Sequence, residues 1–564
     1  LYTSPHLVTF RERIRIDARL EDIGSGKIVL AEKVMGNDPF ALVDSLTGKI
    51  VASLNVKDQM ADQSVANVIT GSPEAYRLYR EGMDLFGLGM NDEAIAKFEA
   101  AAGVDSAFAL AYMRIAMVHV FEGRLQKGMQ YLARADAFKE SLPVRERSLL
   151  DIYTDLWLEQ ELDAAFVKLR AYVENYPSDK EARVLFGLAT WVFNQDTAAA
   201  RAQYDTVLRA DPVNLRALAW TGDLLRQSGQ LDSAVYYYRK VKAYHPDSPE
   251  GYTNLGALYR EQGDIPGAAQ EYLLMSEAFP RLAAPWMNLS TLAIRQRDFE
   301  GAGRFLDEYR GRTGKDPYGL YEYEMQLSGL EQWRGQFRSA RDHMRAALDY
   351  ARQTKDSNYV RSAYNTLFSF YRRLHMDDSA LWCARQTEPW STGIARLNVA
   401  MNYAEAAPAD CGRARAFLEE GTAAFKQRVP SGLWPVAEAV GEAFDGYCAG
   451  DTAAVIAALL KLSSAQQPGQ GEGNRREAGV LQVLTGHYRE GRDILVRSLS
   501  GKDEVASGAT YPYFLYLVGV AEQELGDTKS AIARFEEMLR YWGKPDIETK
   551  EIADARRRLA ALRS

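Results

Sequence analysis

A spacing of 34 residues repeats through the middle of the chain, between residues 215 and 302. Small residues keep this step at Gly222, Gly256 and Ser290. Alanines and prolines keep it too, at Ala234, Ala268 and Ala302 and at Pro212, Pro246 and Pro280. A fixed period of this length indicates stacked copies of one small unit, because such a unit buries its apolar face only against its neighbours. The spacing therefore predicts a repeat architecture.

Each copy has the residues that two crossing helices require. The fullest copy has small residues at Gly256 and Ala268, where a larger side chain would force the helix axes apart. Leu255, Tyr259 and Tyr272 supply bulk around that crossing. The prolines end a helix, because proline lacks an amide donor and restricts the residue before it. The predicted unit is a helix, a short turn and a second helix.

This pattern resembles the tetratricopeptide repeat, in which an aromatic residue, Leu-Gly, Tyr, Ala, a second aromatic residue and Pro follow in order. The chain has this series at Tyr252, Leu255-Gly256, Tyr259, Ala268, Tyr272 and Pro280. Weaker copies on both sides bring the count to about 13 repeats. The resemblance implies an all-α superhelical solenoid. Its A helices, the first helix of each repeat, line a concave face that binds a protein or peptide.

The first 65 residues have a different pattern. Residues 13–19 alternate, residues 28–33 follow after a glycine-rich turn, and together they predict a β-hairpin. Residues 39–56 have apolar side chains at helical spacing and predict an amphipathic helix. A hairpin and one helix cannot bury a stable core. We therefore expect a partial α/β segment, with residues upstream of Leu1 processed, removed or not included.

The same segment resembles the closing part of a TolB-like (FlgO-like) domain. The matching residues are Ile14–Leu20, Asp22, Gly26-Lys27-Ile28, Glu32, Phe40-Ala41-Leu42 and Ile50-Val51. In bacteria this domain often precedes a tetratricopeptide array in receptor-like serine/threonine kinases, adenylate cyclases and transmembrane regulators. The resemblance implies a sensory or docking part of a larger signalling protein, in the bacterial periplasm or at the cell exterior. A cytoplasmic location is the alternative.

We predict four regions along the chain. They are the partial α/β segment at residues 1–65, a first array at 66–312, a degenerate second array at 313–545 and a capping helix at 546–564. A glycine-rich connection at residues 311–318 marks the boundary between the arrays. The arrays are either stacked halves of one solenoid or two binding surfaces joined by a hinge. Contact between neighbouring repeats favours the former.

Composition and absent motifs exclude several classes of function. A net charge of −8 argues against a general nucleic-acid binder, which presents a basic face. No apolar run is long enough to span a membrane, so any tether would lie upstream. Kinase and Walker A motifs are absent, and the 6 histidines lack metal-ligand spacing. We expect no metal, no cofactor and no enzyme activity in this chain.

The candidate binding residues are polar side chains at or near the repeat spacing on the A helices. Asparagine offers a donor and an acceptor to an extended peptide backbone, whereas a guanidinium group favours a carboxylate. The candidates are Asn254, Asn288, Asn365, Arg226, Arg260, Arg295 and Arg372. The alternative is that these residues only cover a solvated helix face.

Two classes of function remain after these exclusions. The first is a non-enzymatic scaffold or docking module that binds a peptide or protein on the concave surface. The second is a structural subunit of a multiprotein complex or appendage, assembled through the solenoid edge and the N-terminal sheet.

Cysteine positions add one further prediction. Cys411 and Cys448 both fall near the turn between helices in neighbouring repeats. They form either a disulfide, if the compartment is oxidising, or two free and partly buried thiols. Cys383 falls inside a helix, where it is most simply a small core residue.

Overall fold

The computed structural model describes residues 2–10, 13–21, 27–37, 41–42, 45–46, 49–50, 70–87, 90–122, 124–159, 161–194, 196–408, 411–429, 431–465, 471–500 and 510–564. These residues form three β-strands followed by 27 α-helices in a tetratricopeptide-like solenoid. The predicted fold class, an all-α solenoid with a small N-terminal α/β segment, is confirmed. The chain divides into two compact units, residues 1–221 and 222–564.

The N-terminal segment contains an antiparallel sheet with strand order β1-β2-β3. The strands are β1 (Tyr2–Phe10), β2 (Arg13–Glu21) and β3 (Ile28–Gly36). The predicted hairpin corresponds to β2 and β3, whereas β1 was not predicted. Pro5 lies in β1, at the edge of the described sheet, where proline is tolerated because its missing amide donor can face away from the paired strand.

A small apolar cluster lies against this sheet. Ile16 of β2, Val34 of β3 and Leu42 are buried together, with Leu46 packed against them. Helical residues are described at positions 41–42, 45–46 and 49–50. The rest of the predicted helix at residues 39–56 lies outside the described residues.

The first unit continues with eight helices and the start of a ninth. They are α1 (Pro73–Gly87), α2 (Asn91–Val104), α3 (Ala109–Phe121), α4 (Leu125–Asp136), α5 (Val144–Tyr153), α6 (Leu162–Asn175), α7 (Lys180–Asn194), α8 (Thr197–Ala210) and α9 (Leu215–Gln227). A π-helical turn, Thr154–Glu159, follows α5. The division between the units falls inside α9.

The second unit holds the remaining helices. They are α10 (Leu231–Tyr244), α11 (Glu250–Gln262), α12 (Ile265–Ala278), α13 (Ala284–Arg295), α14 (Phe299–Thr313), α15 (Pro317–Trp333), α16 (Phe337–Thr354), α17 (Ser357–Arg373), α18 (Asp377–Thr387), α19 (Arg396–Ala406), α20 (Cys411–Arg428), α21 (Trp434–Ala449), α22 (Thr452–Ala465), α23 (Glu472–Leu484), α24 (Tyr488–Ser500), α25 (Thr510–Glu524), α26 (Thr528–Trp542) and α27 (Lys550–Arg563). The boundary predicted at residues 311–318 lies inside this unit, where α14 ends and α15 begins.

A glycine facing an aromatic ring lets the two helices of a repeat cross closely. A Cβ atom added to Gly256 would lie 2.4 Å from Tyr272, and one added to Gly222 would lie 2.4 Å from Tyr238. Both tyrosine rings are buried. Van der Waals repulsion prevents a Cβ atom from approaching another atom so closely. The dense packing of the interior also prevents the tyrosine ring from moving away. The 34-residue step between these two glycines therefore reflects a steric requirement at both crossings.

Helix ends follow the same step. Asp264 and Asp298 accept hydrogen bonds from the amides of Gly267 and Gly301, which caps the starts of α12 and α14. The turn before α12 contains a left-handed residue, Gly263, with φ of 81°. Glycine suits that backbone conformation because it has no Cβ atom.

A disulfide joins neighbouring repeats in the second unit. Cys411, at the start of α20, and Cys448, near the end of α21, are bonded with a Cα–Cα distance of 5.9 Å. Cys383, in α18, is buried and free. Among the helices of the described residues, none is both long and apolar enough to cross a membrane.

Candidate functional site

The two asparagines of the best-formed repeats occupy equivalent places on successive A helices. Asn254 of α11 and Asn288 of α13 are half-buried, and each precedes a buried leucine. Neither amide side chain hydrogen-bonds to another described residue. A half-buried amide without a partner in the protein retains its donor and acceptor for a ligand. We call Asn254 and Asn288 the asparagine pair.

Arg226 of α9, the first of the arginine candidates, is already engaged by acidic residues. Its Nη1 atom lies 2.8 Å from Oε1 of Glu261 in α11, and its Nε atom lies 4.0 Å from Asp223. Two carboxylates therefore face one guanidinium group here. Arg226 is poorly placed to receive the carboxylate of a ligand, because such a ligand would have to displace Glu261.

Asp223 is an acidic residue of this surface that the sequence analysis missed. The hydroxyl of Tyr238 donates to its Oδ1 atom at 2.6 Å. Burial raises the pKa of Asp223, although that hydrogen bond and Arg226 oppose the effect. The repeat pattern does not point to this position. The equivalent residues one and two steps later are Ala257 and Thr291, which carry no charge.

The arginine candidates of α11 and α13 also have partners within the protein. Arg260 and Arg295 are half-buried, and both interact with other groups of the protein. The structure thus brings Asn254, Asn288, Arg226, Arg260 and Arg295 to the first A helices of the second unit.

The remaining two candidates lie farther along the array, on α17. The Oδ1 atom of Asn365 accepts a hydrogen bond from Nδ2 of Asn402 at 2.9 Å, so this amide is partly satisfied within the protein. Arg372 forms ion pairs with Asp377 and with Glu405 of α19. Asn365 and Arg372 therefore hold adjacent repeats together. They are less available to a ligand than the asparagine pair.

A second group of polar residues, absent from the sequence analysis, converges from helices far apart in the chain. Arg373 of α17 interacts electrostatically with Tyr513 of α25, Glu477 of α23 and Glu551 of α27. Neither Arg373 nor Glu477 has a hydrogen-bond or ion-pair partner among the described residues. Their separations along the chain are irregular, so no repeat pattern could have pointed to them. We call Arg373, Glu477 and Tyr513 the inner polar group.

Glu477 has an unusual environment within this group. Its side chain is exposed, yet protein surrounds it and restricts its hydration. This restricted hydration, together with the neighbouring Glu405 carboxylate, raises the pKa of Glu477 to about 7. Arg373 and Arg372 oppose the shift. A carboxyl group with these properties gains and loses its proton near neutral pH.

The described residues contain no cluster of three His, Cys, Asp or Glu side chains that could share a metal ion. Two histidines instead pair with single carboxylates, His343 with Glu324 and His375 with Glu551, each at 2.7 Å. A neighbouring carboxylate stabilises the protonated ring, and this raises the pKa of His343.

Two segments of the chain, residues 79–143 and 192–249, match the tetratricopeptide repeat family. No curated protein matches the chain. Among solved structures, PilF of Pseudomonas aeruginosa is 17% identical, with a TM-score of 0.27, and the match covers 37% of this chain and 90% of PilF.

Two further solved structures have similar values. A tetratricopeptide repeat protein from Parabacteroides merdae is 16% identical over 45% of this chain and 100% of its own, with a TM-score of 0.29. YrrB, described as a TPR protein with an unusual peptide-binding site, is 16% identical over 40% of this chain and 96% of its own, with a TM-score of 0.22. At these values the similarity carries no inference about ligands.

Proposed function

We propose that this protein is a non-enzymatic interaction scaffold that binds an extended peptide or protein segment on the A helices that open its second unit. The observation that carries the proposal is the asparagine pair, two amides at repeat spacing without hydrogen-bond partners in the described residues. An amide can donate to a peptide carbonyl and accept from a peptide N–H, so successive amides suit an extended backbone.

The charged residues of α9 and α11 restrict the class of ligand further. Arg226 is neutralised by Glu261, and Asp223 adds a second carboxylate. Recognition of a free carboxylate would require breaking the existing ion pair, whereas recognition of backbone amides would not. We therefore expect the ligand to be an internal, extended segment of a partner rather than its C-terminus.

The proposal is tested by replacing both asparagines. Peptides are first selected from a phage-displayed random library on the wild-type protein, and one is titrated by fluorescence anisotropy. Asn254→Ala with Asn288→Ala should weaken its affinity about five- to thirtyfold, because two hydrogen bonds of roughly 0.5–1 kcal/mol each are lost. The thermal midpoint should stay unchanged, since neither side chain bonds within the described protein.

The matched control is Gln270→Ala, which removes an amide from the exposed face of α12. This variant should bind the peptide as the wild type does. Equal affinity of the wild type and the double variant, with the control unchanged, would dispose of the asparagine pair as a binding site.

A structural subunit of a larger assembly is the second candidate function. Within the described sheet, β1 and β3 each pair on one side only, and an unpaired strand edge accepts a strand from another chain. Native mass spectrometry separates the two candidates. A stoichiometric assembly that persists in the double asparagine variant would favour the structural role.

We also propose that the chain is the extracytoplasmic sensory or docking part of a larger bacterial protein, with a TolB-like segment at its start. The disulfide between Cys411 and Cys448 supports this location, because such bonds persist in oxidising compartments. Cell fractionation of the full-length protein tests the proposal. Recovery in the cytoplasm with both thiols reduced would contradict it.

A further inference from the structure

The second unit returns on itself near its C-terminal end. The indole Nε1 atom of Trp542, the last residue of α26, donates to the carbonyl of Gln332 at 2.9 Å. Beyond it, the amide of Asp546 donates to the carbonyl of Gly335 at 3.2 Å. These contacts join residues about 210 positions apart, whereas repeats of a solenoid normally contact only their neighbours.

A remote helix cap lies at the centre of this contact. Helix α16 receives no side-chain cap from Gln336, the residue that precedes it. Instead, Oδ1 of Asp546 accepts from the amide of Phe337 at 2.6 Å, and Oδ2 accepts from the amide of Arg338 at 2.9 Å. The first amides of a helix need such acceptors. By contrast, Asp264, Asp298 and Asp527 cap the helices that follow them directly.

Arg297 strengthens the contact from a neighbouring repeat. Gly229 and Gly263 have left-handed backbones, and Arg297 adopts the same conformation one step later, with φ of 63°. This conformation is unfavourable for a residue with a Cβ atom. Its guanidinium carbon lies 4.1 Å from the ring centre of Trp333 and 4.3 Å from that of Tyr511, which gives two cation–π contacts across the closure.

A second contact closes the array at another point. Nε2 of His375, in the turn after α17, lies 2.7 Å from Oε1 of Glu551 at the start of α27. Arg373, two residues before this histidine, interacts with Glu477 and Tyr513 of the inner polar group. The contacts at Asp546 and at Glu551 therefore join the helices from α15 to α27 into a closed ring.

We propose that residues 541–549, which we call the latch, hold this ring closed and that the ring opens when their contacts are lost. The latch makes its contacts through the capping carboxylate of Asp546 and through Trp542, whose buried indole packs on the ring of Phe337 at a centroid distance of 5.1 Å. Tyr541 adds a ring whose centre lies 5.6 Å from the guanidinium carbon of Arg297. Neighbouring repeats also pack on one another along the whole segment. Loss of the latch contacts should therefore open the ring without unfolding the repeats. The latch is a conformational device additional to the proposed peptide surface.

Hydrogen exchange of the full chain, followed by mass spectrometry, tests the latch. Asp546→Ala should raise exchange at least tenfold in the first turn of α16, in α27 and in the part of α23 around Glu477. The matched control is Asp527→Ala, which removes the same carboxylate from a cap that α26 receives locally, where Asp527 accepts from Ser530. This control should raise exchange only at the start of α26.

Arg297→Gly provides a second variant that removes no helix cap. Glycine keeps the left-handed backbone without strain, so the variant should fold and should still raise exchange in α27 because the aromatic sandwich is lost. Small-angle scattering should show a larger radius of gyration for both latch variants than for the control. The proposal is overturned if Asp546→Ala affects only the first turn of α16, or if Arg297→Gly leaves exchange in α27 at the wild-type level.

Discussion

At the scale of single residues, the repeat depends on matched sizes at each helix crossing. Glycine faces a tyrosine at Gly256 and Tyr272. One step later, Ser290 replaces the glycine, and Leu306 replaces the aromatic ring. The serine hydroxyl donates to the carbonyl of Ala302 at 3.1 Å, so the larger residue is accommodated with its polar group satisfied. The size of one residue thus sets the size of its partner.

The first prediction at this scale concerns Gly256. Replacement by alanine should lower the free energy of unfolding by about 1–3 kcal/mol, because the new methyl group overlaps the ring of Tyr272. Adding Tyr272→Leu should restore part of the loss, since it reproduces the pairing at Ser290 and Leu306. Urea denaturation of both variants measures the effect.

Gly303 of α14 is the matched control, because a Cβ atom there would meet nothing within 4 Å. Gly303→Ala should raise stability by roughly 0.5–1 kcal/mol, as alanine is the better helix former. If both alanine variants shifted stability in the same direction, the steric explanation would be wrong.

The sequence could predict the packing of these residues but not their hydrogen bonds. The spacing of Gly256 and Tyr272 follows from the repeat and is found in the structure. The ion pair of Arg226 with Glu261 was not predicted, because it joins two repeats through side chains with several rotatable bonds. Whether the asparagine pair binds a ligand stays a prediction.

At the scale of elements, the helix ends and the disulfide were partly predictable. The prolines of the 34-residue step lie just beyond the ends of α8, α10 and α12, as expected. Strand β1 was not predicted, and it contains Pro5, a residue type that strand interiors disfavour. The places of Cys411 and Cys448 followed from repeat coordinates, since they put one cysteine at the start of a B helix and the other at the end of an A helix.

The second prediction concerns the disulfide. Cys411→Ser should lower the free energy of unfolding by about 3–4 kcal/mol, because the bond closes a segment of 37 residues and restricts the unfolded chain. Denaturation with and without a reductant measures this loss. A reductant should destabilise the wild type and leave the variant unchanged; equal stability of the two oxidised proteins would contradict the prediction.

Cys383 serves as an internal reference in that experiment. Burial raises the pKa of its thiol to about 12, so little thiolate is present at neutral pH. The native protein should therefore resist alkylation at Cys383, and it should react there only after unfolding.

At the scale of the whole molecule, the inner polar group should make stability depend on pH. The folded state holds the proton of Glu477 up to about pH 7, whereas its ordinary pKa is 4.5. The contribution of Glu477 to the free energy of unfolding is therefore fully present below pH 4.5. It is lost as the pH rises through about 7. The groups that face it are Glu405, Arg372, Arg373, Tyr447 and Tyr513.

Glu477→Gln should flatten the pH dependence in this window and make the protein more stable than the wild type at pH 8. Urea midpoints measured from pH 4.5 to 8 test this expectation. Glu438→Gln, an exposed carboxyl of α21, is the control and should keep the wild-type profile. Parallel profiles for the wild type and Glu477→Gln would show that the group does not titrate as described.

The closure of the second unit was beyond prediction from the sequence. Its contacts pair Trp542 with Gln332 and Asp546 with Phe337, at separations unrelated to the repeat period. Periodicity reports which residues occupy equivalent places in successive repeats. It does not report how far the superhelix turns, because small rotations between repeats accumulate along the array.

The remote cap on α16 also affects how the second unit folds. A linear repeat array can nucleate at any repeat and grow by local contacts, so its folding is fast and its ends fray independently. Asp546 couples the last repeats to a helix that begins 209 residues earlier. Closing so long a loop is slow, and it makes the stability of the first and last parts interdependent. A chain shortened at its C-terminus would lose order far from the cut.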